Sequence, residues 1–180
     1  LPVWELFNPA IWWVGHFQLH YIQMSVKLVD NVVETDIDVL HQVSDEINLT
    51  DLDAMNAVEN ALLNTYRKLN GSLQGLAAIQ VGFRCRVILL RFKKGGEPFI
   101  AYNPKILFSI GNRKSNEGCL SEGDDRYIVR RPALMKVMYY NKYREKQVIW
   151  LPYKKARIFK HELDHLDGIL LQDIGKKVGK

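Results

Sequence analysis

The chain has 180 residues, 47% of them hydrophobic and 25% charged, with a formal net charge of +5. That content suits one domain with its own core and excludes a disordered chain, while two cysteines are too few for a disulfide-stapled secreted domain. The charge permits contact with a polyanion, but Lys and Arg are scattered apart from Lys154-Lys155 and Lys176-Lys177. Ordinary solvated surface is therefore expected, with no sequence-specific nucleic-acid binding.

Residues 1–23 are apolar and aromatic, with Trp4, Trp12 and Trp13. They lack the basic start of a signal peptide. Glu5, Asn8, His16, Gln18 and His20 interrupt them too often for a membrane span. Met24-Ser25-Val26 reads as a natural start. Residues 1–23 are thus expected to be a non-native or upstream extension, and 24–180 a single domain.

Thr50 is expected to cap a helix, with Asp51 and Asp53 suiting the dipole of its first turn. Leu52, Met55, Val58, Leu62, Tyr66 and Leu69 then recur at helical spacing, and Gly71 ends the run. The middle is β-rich. Strands are predicted at 84–92, 99–102, 105–110, 127–131, 134–140 and 147–151, with Gly95-Gly96 as a turn. Pro152 precedes a second helix over 154–166, which Gly168 closes, and 169–171 is expected to be a last short strand. This order predicts an α+β fold, with small antiparallel β-sheets packed around a central motif helix.

That second helix carries His161-Glu162-Leu163-Asp164-His165. Histidines at i and i+4 project from one helix face, where two imidazoles can share a metal ion, and Glu162 is placed to act on a water there. The bland alternative is a pair of helix histidines that bind nothing. However, the chain has only five histidines, and two fall here with a carboxylate between them. A third ligand is needed. An H-E-x-x-H endopeptidase would take it from downstream, where only Asp167 and Asp173 are in range. Upstream, Glu117-Gly118-Cys119-Leu120-Ser121 offers the Cys119 thiolate, and Cys-His-His is a tetrahedral site with one reactive position. Cys85 leaves two further alternatives: a disulfide with Cys119, or a fourth ligand closing a purely structural site. Asp164 either helps orient a ligand histidine or is a solvated helix carboxylate.

Glu-Gly-Cys-Leu-Ser, His-Glu-Leu-Asp-His and the earlier Gly75-Leu76-Ala77-Ala78-Ile79-Gln80, in this order, resemble the three motifs of the peptide deformylase family. The resemblance spans most of the chain from Met24 onward. It implies removal of the N-formyl group from nascent polypeptides that begin with N-formylmethionine, with release of formate. It also implies one divalent metal ion, Fe²⁺ as the native ion, with Zn²⁺ or Ni²⁺ found in preparations. Cys119, His161 and His165 match the metal ligands. Glu162 matches the acid/base that takes a proton from the attacking water and passes it to the leaving amine. Gln80 and the backbone N–H of Leu120 match the two donors to the developing oxyanion. Gly75 matches the glycine whose main chain lies beside the substrate, and Arg131 resembles an arginine near the substrate cleft. A cytoplasmic site, or an organellar matrix or stroma, and contact with the ribosome follow from that role, with no membrane involved.

Several positions depart from the family pattern. Leu73 and Gln74 precede Gly75 where the family usually has Gly and an apolar residue. Lys160 stands before His161 in place of Gln, and Lys154 stands where an apolar or aromatic residue often faces the same pocket. Glu122-Gly123-Asp124-Asp125 replaces a more apolar loop. Gln74 and Lys154 are therefore expected to border the pocket for the first side chain and to alter it. The alternative function is a deformylase-like protein with an altered substrate pocket or a non-catalytic metal-containing binding role.

Overall fold

In the computed structural model, residues 33–179 are described; the expected extension, residues 1–23, lies outside them. Among the described residues, aspartate begins both helices that precede the first strand. Asp36 caps α1 (Ile37–Leu40), and Asp51 caps α2 (Leu52–Lys68) by accepting from Ala54 N at 3.0 Å. The expected cap, Thr50, lies one residue too early, and its hydroxyl bonds Asn48 instead. At the far end, Gly71 N–H closes on Tyr66 O, so the expected stop is where the helix terminates.

The strands are β1 (Gly75–Ala77), β2 (Val87–Leu90), β3 (Phe99–Ile110), β4 (Arg113–Gly118), β5 (Arg126–Arg131), β6 (Leu134–Tyr140) and β7 (Lys146–Pro152). They precede α3 (Lys154–Leu166), α4 (Leu171–Ile174) and β8 (Lys176–Gly179). Among the described residues, all pairings between these strands are antiparallel. One sheet has the order β1-β2-β3-β6-β7, and the other β4-β5-β8.

The larger sheet is covered on both faces. Leu76, Val87 and Leu89 meet Met55, Val58 and Leu62 of α2. Ala77, Ile88 and Leu90 turn the other way and meet Ile158, Phe159 and Leu163 of α3. Double coverage explains why Val87–Leu90 is an unbroken apolar run rather than an alternating one. Each large apolar side chain buried here contributes about 1.5–3 kcal/mol. This packing seats α3, and with it the histidine motif, against the sheet.

The path around α3 is tightly determined. Tyr153, at φ 47°, breaks the direction of β7 before the helix begins at Lys154. Gly168, at φ +69°, turns the chain away after it, and a Cβ there would stand 2.3 Å from His41 O, so only glycine fits.

Four expected elements differ. The strand over 84–92 is shortened to Val87–Leu90, because Arg86 N–H bonds Asp45 O in an irregular crossing at Cys85. Phe99–Ile110 is one strand with register shifts, and Asn103 adopts φ 47° where the first of them falls while both ends of its amide bond Ile47. Residues 169–171 form no strand: Leu170 leads into α4, and the last strand lies over the expected surface cluster Lys176-Lys177. β1 and β4, which carry two of the motifs, are too short or too polar to show in the pattern.

Candidate metal centre and cleft

The helical spacing of α3 places His161 and His165 on one face, and Cys119 approaches that face from the end of β4. Cys119 Sγ lies 3.2 Å from His165 Nε2, and the ligand atoms of Cys119, His161 and His165 all lie within 4.8 Å of one another. Cys119 and His165 are buried, and His161 opens onto a cleft. Among the described residues, Cys85 is not part of this group, and both cysteines are free thiols. The disulfide and the four-ligand structural site therefore fall away. The endopeptidase ligands are committed elsewhere: Asp167 pairs with Arg86 at 2.7 Å and Asp173 with His41 at 3.1 Å.

The donor set fits a cation of the Fe²⁺ or Zn²⁺ type, a soft thiolate with two imidazoles. Burial opposes charge on His161, but its interactions with Cys119 and Glu117 outweigh this and hold its pKa well above the ordinary value. His165 is driven the other way, by burial and then by the charge on His161. Two buried atoms lack hydrogen-bond partners here, Glu162 Oε2 and His165 Nδ1. Among the described residues the other such atom is Ser44 Oγ, outside this group.

Behind His161 stands a buried polar network. Glu117 Oε2 lies 3.0 Å from His161 Nδ1. Arg131 grips the same carboxylate with two donors, at 3.0 and 2.9 Å. It also pairs with Asp164, which pairs in turn with Lys160. Burial would raise the Glu117 pKa, but His161 and Arg131 together lower it to about 2. An ionised Glu117 fixes the His161 ring through Nδ1 and leaves Nε2 free to bind a metal. Asp164 is therefore a buried partner in the network that orients His161, rather than a solvated carboxylate.

Glu162 is buried beside the ligands. Burial lifts its carboxyl to about 7, even though the charge on His161 opposes the shift. Gly75 leaves it room, since a Cβ on Gly75 would lie 2.2 Å from Glu162 Oε1. Gln80 is held by both ends of its amide. Its Oε1 accepts from Ala77 N at 2.8 Å, and its Nε2 points at Ser121 Oγ, 3.0 Å away, and at Cys119 Sγ, 3.7 Å away. Leu120 opens the 3-10 turn after Cys119, so its N–H has no acceptor within that turn.

These groups meet in a cavity of about 220 Å³. One wall is the segment 72–76, the other 117–120, and the α3 residues Arg157, Ile158, His161 and Glu162 line the space between. Gln74, Gly75, Gln80, Leu120, Glu162 and the candidate ligands Cys119 and His161 are thus brought together around one cavity. Two expected substrate residues are not. Arg131 is only 3% exposed, because its guanidinium is spent on Glu117 and Asp164 behind the histidine. Lys154 is exposed at the start of α3 and stands outside the cavity wall.

Three residues escaped the sequence. Glu117 carried a signal, since a carboxylate two positions before a ligand cysteine suits a histidine partner. Arg157 carried another, lying four residues before His161 on the same helix face. Ser121 carried none, because its role depends on where the Gln80 amide points. The polar loop after Ser121 has a structural use: Glu122 caps α4 by accepting from Leu171 N and Gln172 N, and Asp125 pairs with Lys177.

Among known proteins, a family model described as polypeptide deformylase matches residues 29–180. The chain is 35% identical over 144 residues to a peptide deformylase of Rhizobium meliloti, covering 78% of this chain and 81% of that protein. A crystal structure of a probable peptide deformylase from Synechococcus phage S-SSM7 is similar at a TM-score of 0.71 and 33% identity, covering 79% of this chain and 97% of that one. A class I type b peptide deformylase from Acinetobacter baumannii, bound to Met-Ala-Ser, matches at a TM-score of 0.70 and 29% identity, covering 80% and 96%.

Proposed function

The chain belongs to the polypeptide deformylase family, and from that membership we propose how its own residues carry out the reaction. The enzyme hydrolyses the N-formyl group of peptides that begin with N-formylmethionine and releases formate. The family is metal-dependent, and Cys119, His161 and His165 are the residues that would hold the ion, natively Fe²⁺, with Zn²⁺ or Ni²⁺ as substitutes. When bound, the ion supplies Lewis-acid charge and brings the pKa of a water to ~7.

The remaining chemistry belongs to side chains and backbone. A formamide is a weak electrophile, so the attacking water must lose a proton, and Glu162 takes it through the unpartnered Oε2. The same carboxyl, with a pKa of about 7, returns the proton to the departing amine. Gln80 Nε2 and Leu120 N–H donate to the oxygen as charge builds on it, and loss of one such donor costs roughly 3–4 kcal/mol in the transition state. The peptide lies extended beside Gly75, along the edge of β1 that β2 leaves unpaired. Glu117, held by Arg131 and Asp164, keeps His161 in its binding orientation.

The observation that carries this assignment is the buried Glu162 carboxylate, with one oxygen unsatisfied, beside a Cys-His-His group in an open cleft. A non-catalytic binding site would gain nothing from that unpaired oxygen. Because the substrates are nascent chains, we place the enzyme in the cytoplasm, or in an organellar matrix or stroma, within reach of the ribosome. Among the described residues, no helix is long and apolar enough to cross a membrane. Formate release that disappears in Glu162→Ala while metal content stays constant tests the assignment.

A further inference from the structure

Arg157 precedes His161 by four residues, so its side chain leaves the same face of α3 one turn, about 5 Å, from the metal ligand. Its guanidinium lines the cleft, and Nη2 donates to Gln74 Oε1 at 3.3 Å across the cavity. Gln74 is neutral, and among the described residues no carboxylate pairs with Arg157. A guanidinium carries five N–H donors, so four remain beyond the bond to Gln74. Burying such a group against apolar matter costs free energy unless it finds an acceptor.

The start of the helix, outside the cavity wall, carries charge of the same sign. The first turn of α3 holds Lys154 and Lys155 and no acidic residue, and no side chain caps it. Positive charge there opposes the helix dipole, so it reinforces an end of the helix that already favours anions. Of the two carboxylates that share the cavity, Glu117 is committed to Arg131 and His161, and Glu162, though unpartnered at Oε2, makes no pair with Arg157.

Arg157 thus lines the cleft one helical turn from His161 of the candidate metal centre. We propose that this cleft favours formyl peptides whose first side chain presents an oxygen acceptor at the reach of the methionine sulfur, and that Arg157, with Gln74 orienting it, is the residue that selects them. A thioether is a weak acceptor, whereas a sulfoxide oxygen or a carboxylate accepts strongly. Oxidised methionine and glutamate are the two sources of that chemistry. The inference rests on the deformylase assignment.

The test compares norleucine, methionine, methionine sulfoxide and glutamate as the first residue of formyl-Xaa-Ala-Ser, by kcat/KM, with the metal-loaded enzyme. Calorimetric binding of the same tripeptides without the formyl group gives a readout independent of turnover. The sulfoxide or the glutamate peptide, or both, should exceed norleucine by about ten-fold or more in both assays, the gain expected of a charge-assisted hydrogen bond. Which of the two gains identifies the source. Arg157→Met should collapse the ratio, while Gln74→Leu, which frees the guanidinium, should keep or enlarge it. Norleucine equal to or better than both acceptor peptides, or an unchanged ratio in Arg157→Met, would overturn the inference. Absence of turnover with the binding preference intact would overturn the deformylase assignment and leave the acceptor subsite standing.

Discussion

A Cβ on Gly75 would lie 2.2 Å from Glu162 Oε1 and 2.5 Å from its Cδ, so the glycine of the first motif and the glutamate of the last share one space. The atoms met are the end of a flexible side chain, so the fold can yield, but the carboxylate cannot stay where it is. Gly75→Ala should therefore keep its fold and its metal and lose kcat by at least ten-fold. A melting temperature and metal content like the parent, with slow turnover, is the expected combination. Parent-like kcat would show that Glu162 need not occupy this place.

Removing the carboxylate itself is the sharper change. Glu162→Gln should lower kcat by about 10²–10⁴-fold, the range for a lost general acid/base. Metal content measured by atomic spectroscopy should not move, because Glu162 is outside the Cys119, His161, His165 group. Loss of the ion in this variant would make Glu162 a ligand rather than a base.

Glu117→Gln reports on the network behind His161. Outer partners of ligand histidines contribute about 10–100-fold in metal affinity, so competition with a chelator should show a loss of that size. The variant should also change acid stability. The folded Glu117 carboxyl sits at about 2, below its ordinary 4.5. Its contribution is therefore complete above pH 4.5 and is lost as pH falls toward 2. Thermal melts between pH 5 and 2.5 should fall more steeply in the parent than in Glu117→Gln. Parallel curves would show that the carboxylate is not held by His161 and Arg131.

Cys85 separates an open site from a closed one. Burial pushes its thiol up to about 12, and it packs with the α2 cluster rather than the metal centre. Cys85→Ser should retain the full metal content and formate release within about two-fold. Loss of the ion would restore a four-ligand structural site.

Legibility differed with how local each feature is. The motif helix was readable to its ends, because Pro152, Gly168 and the histidine spacing are signals carried by neighbouring residues. The proximity of Cys119, His161 and His165 was readable from donor chemistry and motif order. Arg131 was misplaced because its side chain follows the buried Glu117 and Asp164, and no spacing rule reveals a pairing between β5, β4 and α3. Lys154 was misplaced for a related reason: on a helix the face is decided by rotation, and it is Arg157, four residues before His161, that turns into the cavity. β1 was missed because a three-residue strand carries too little pattern, although its pairing with β2 holds Gly75 against Glu162.

The most direct measurement is formate release from formyl-Met-Ala-Ser by anaerobically prepared, Fe²⁺-loaded protein, run beside Glu162→Ala with equal metal content. The account requires turnover in the parent and its loss in the variant. A parent that holds its ion fully and releases no formate, or a variant as active as the parent, would contradict it.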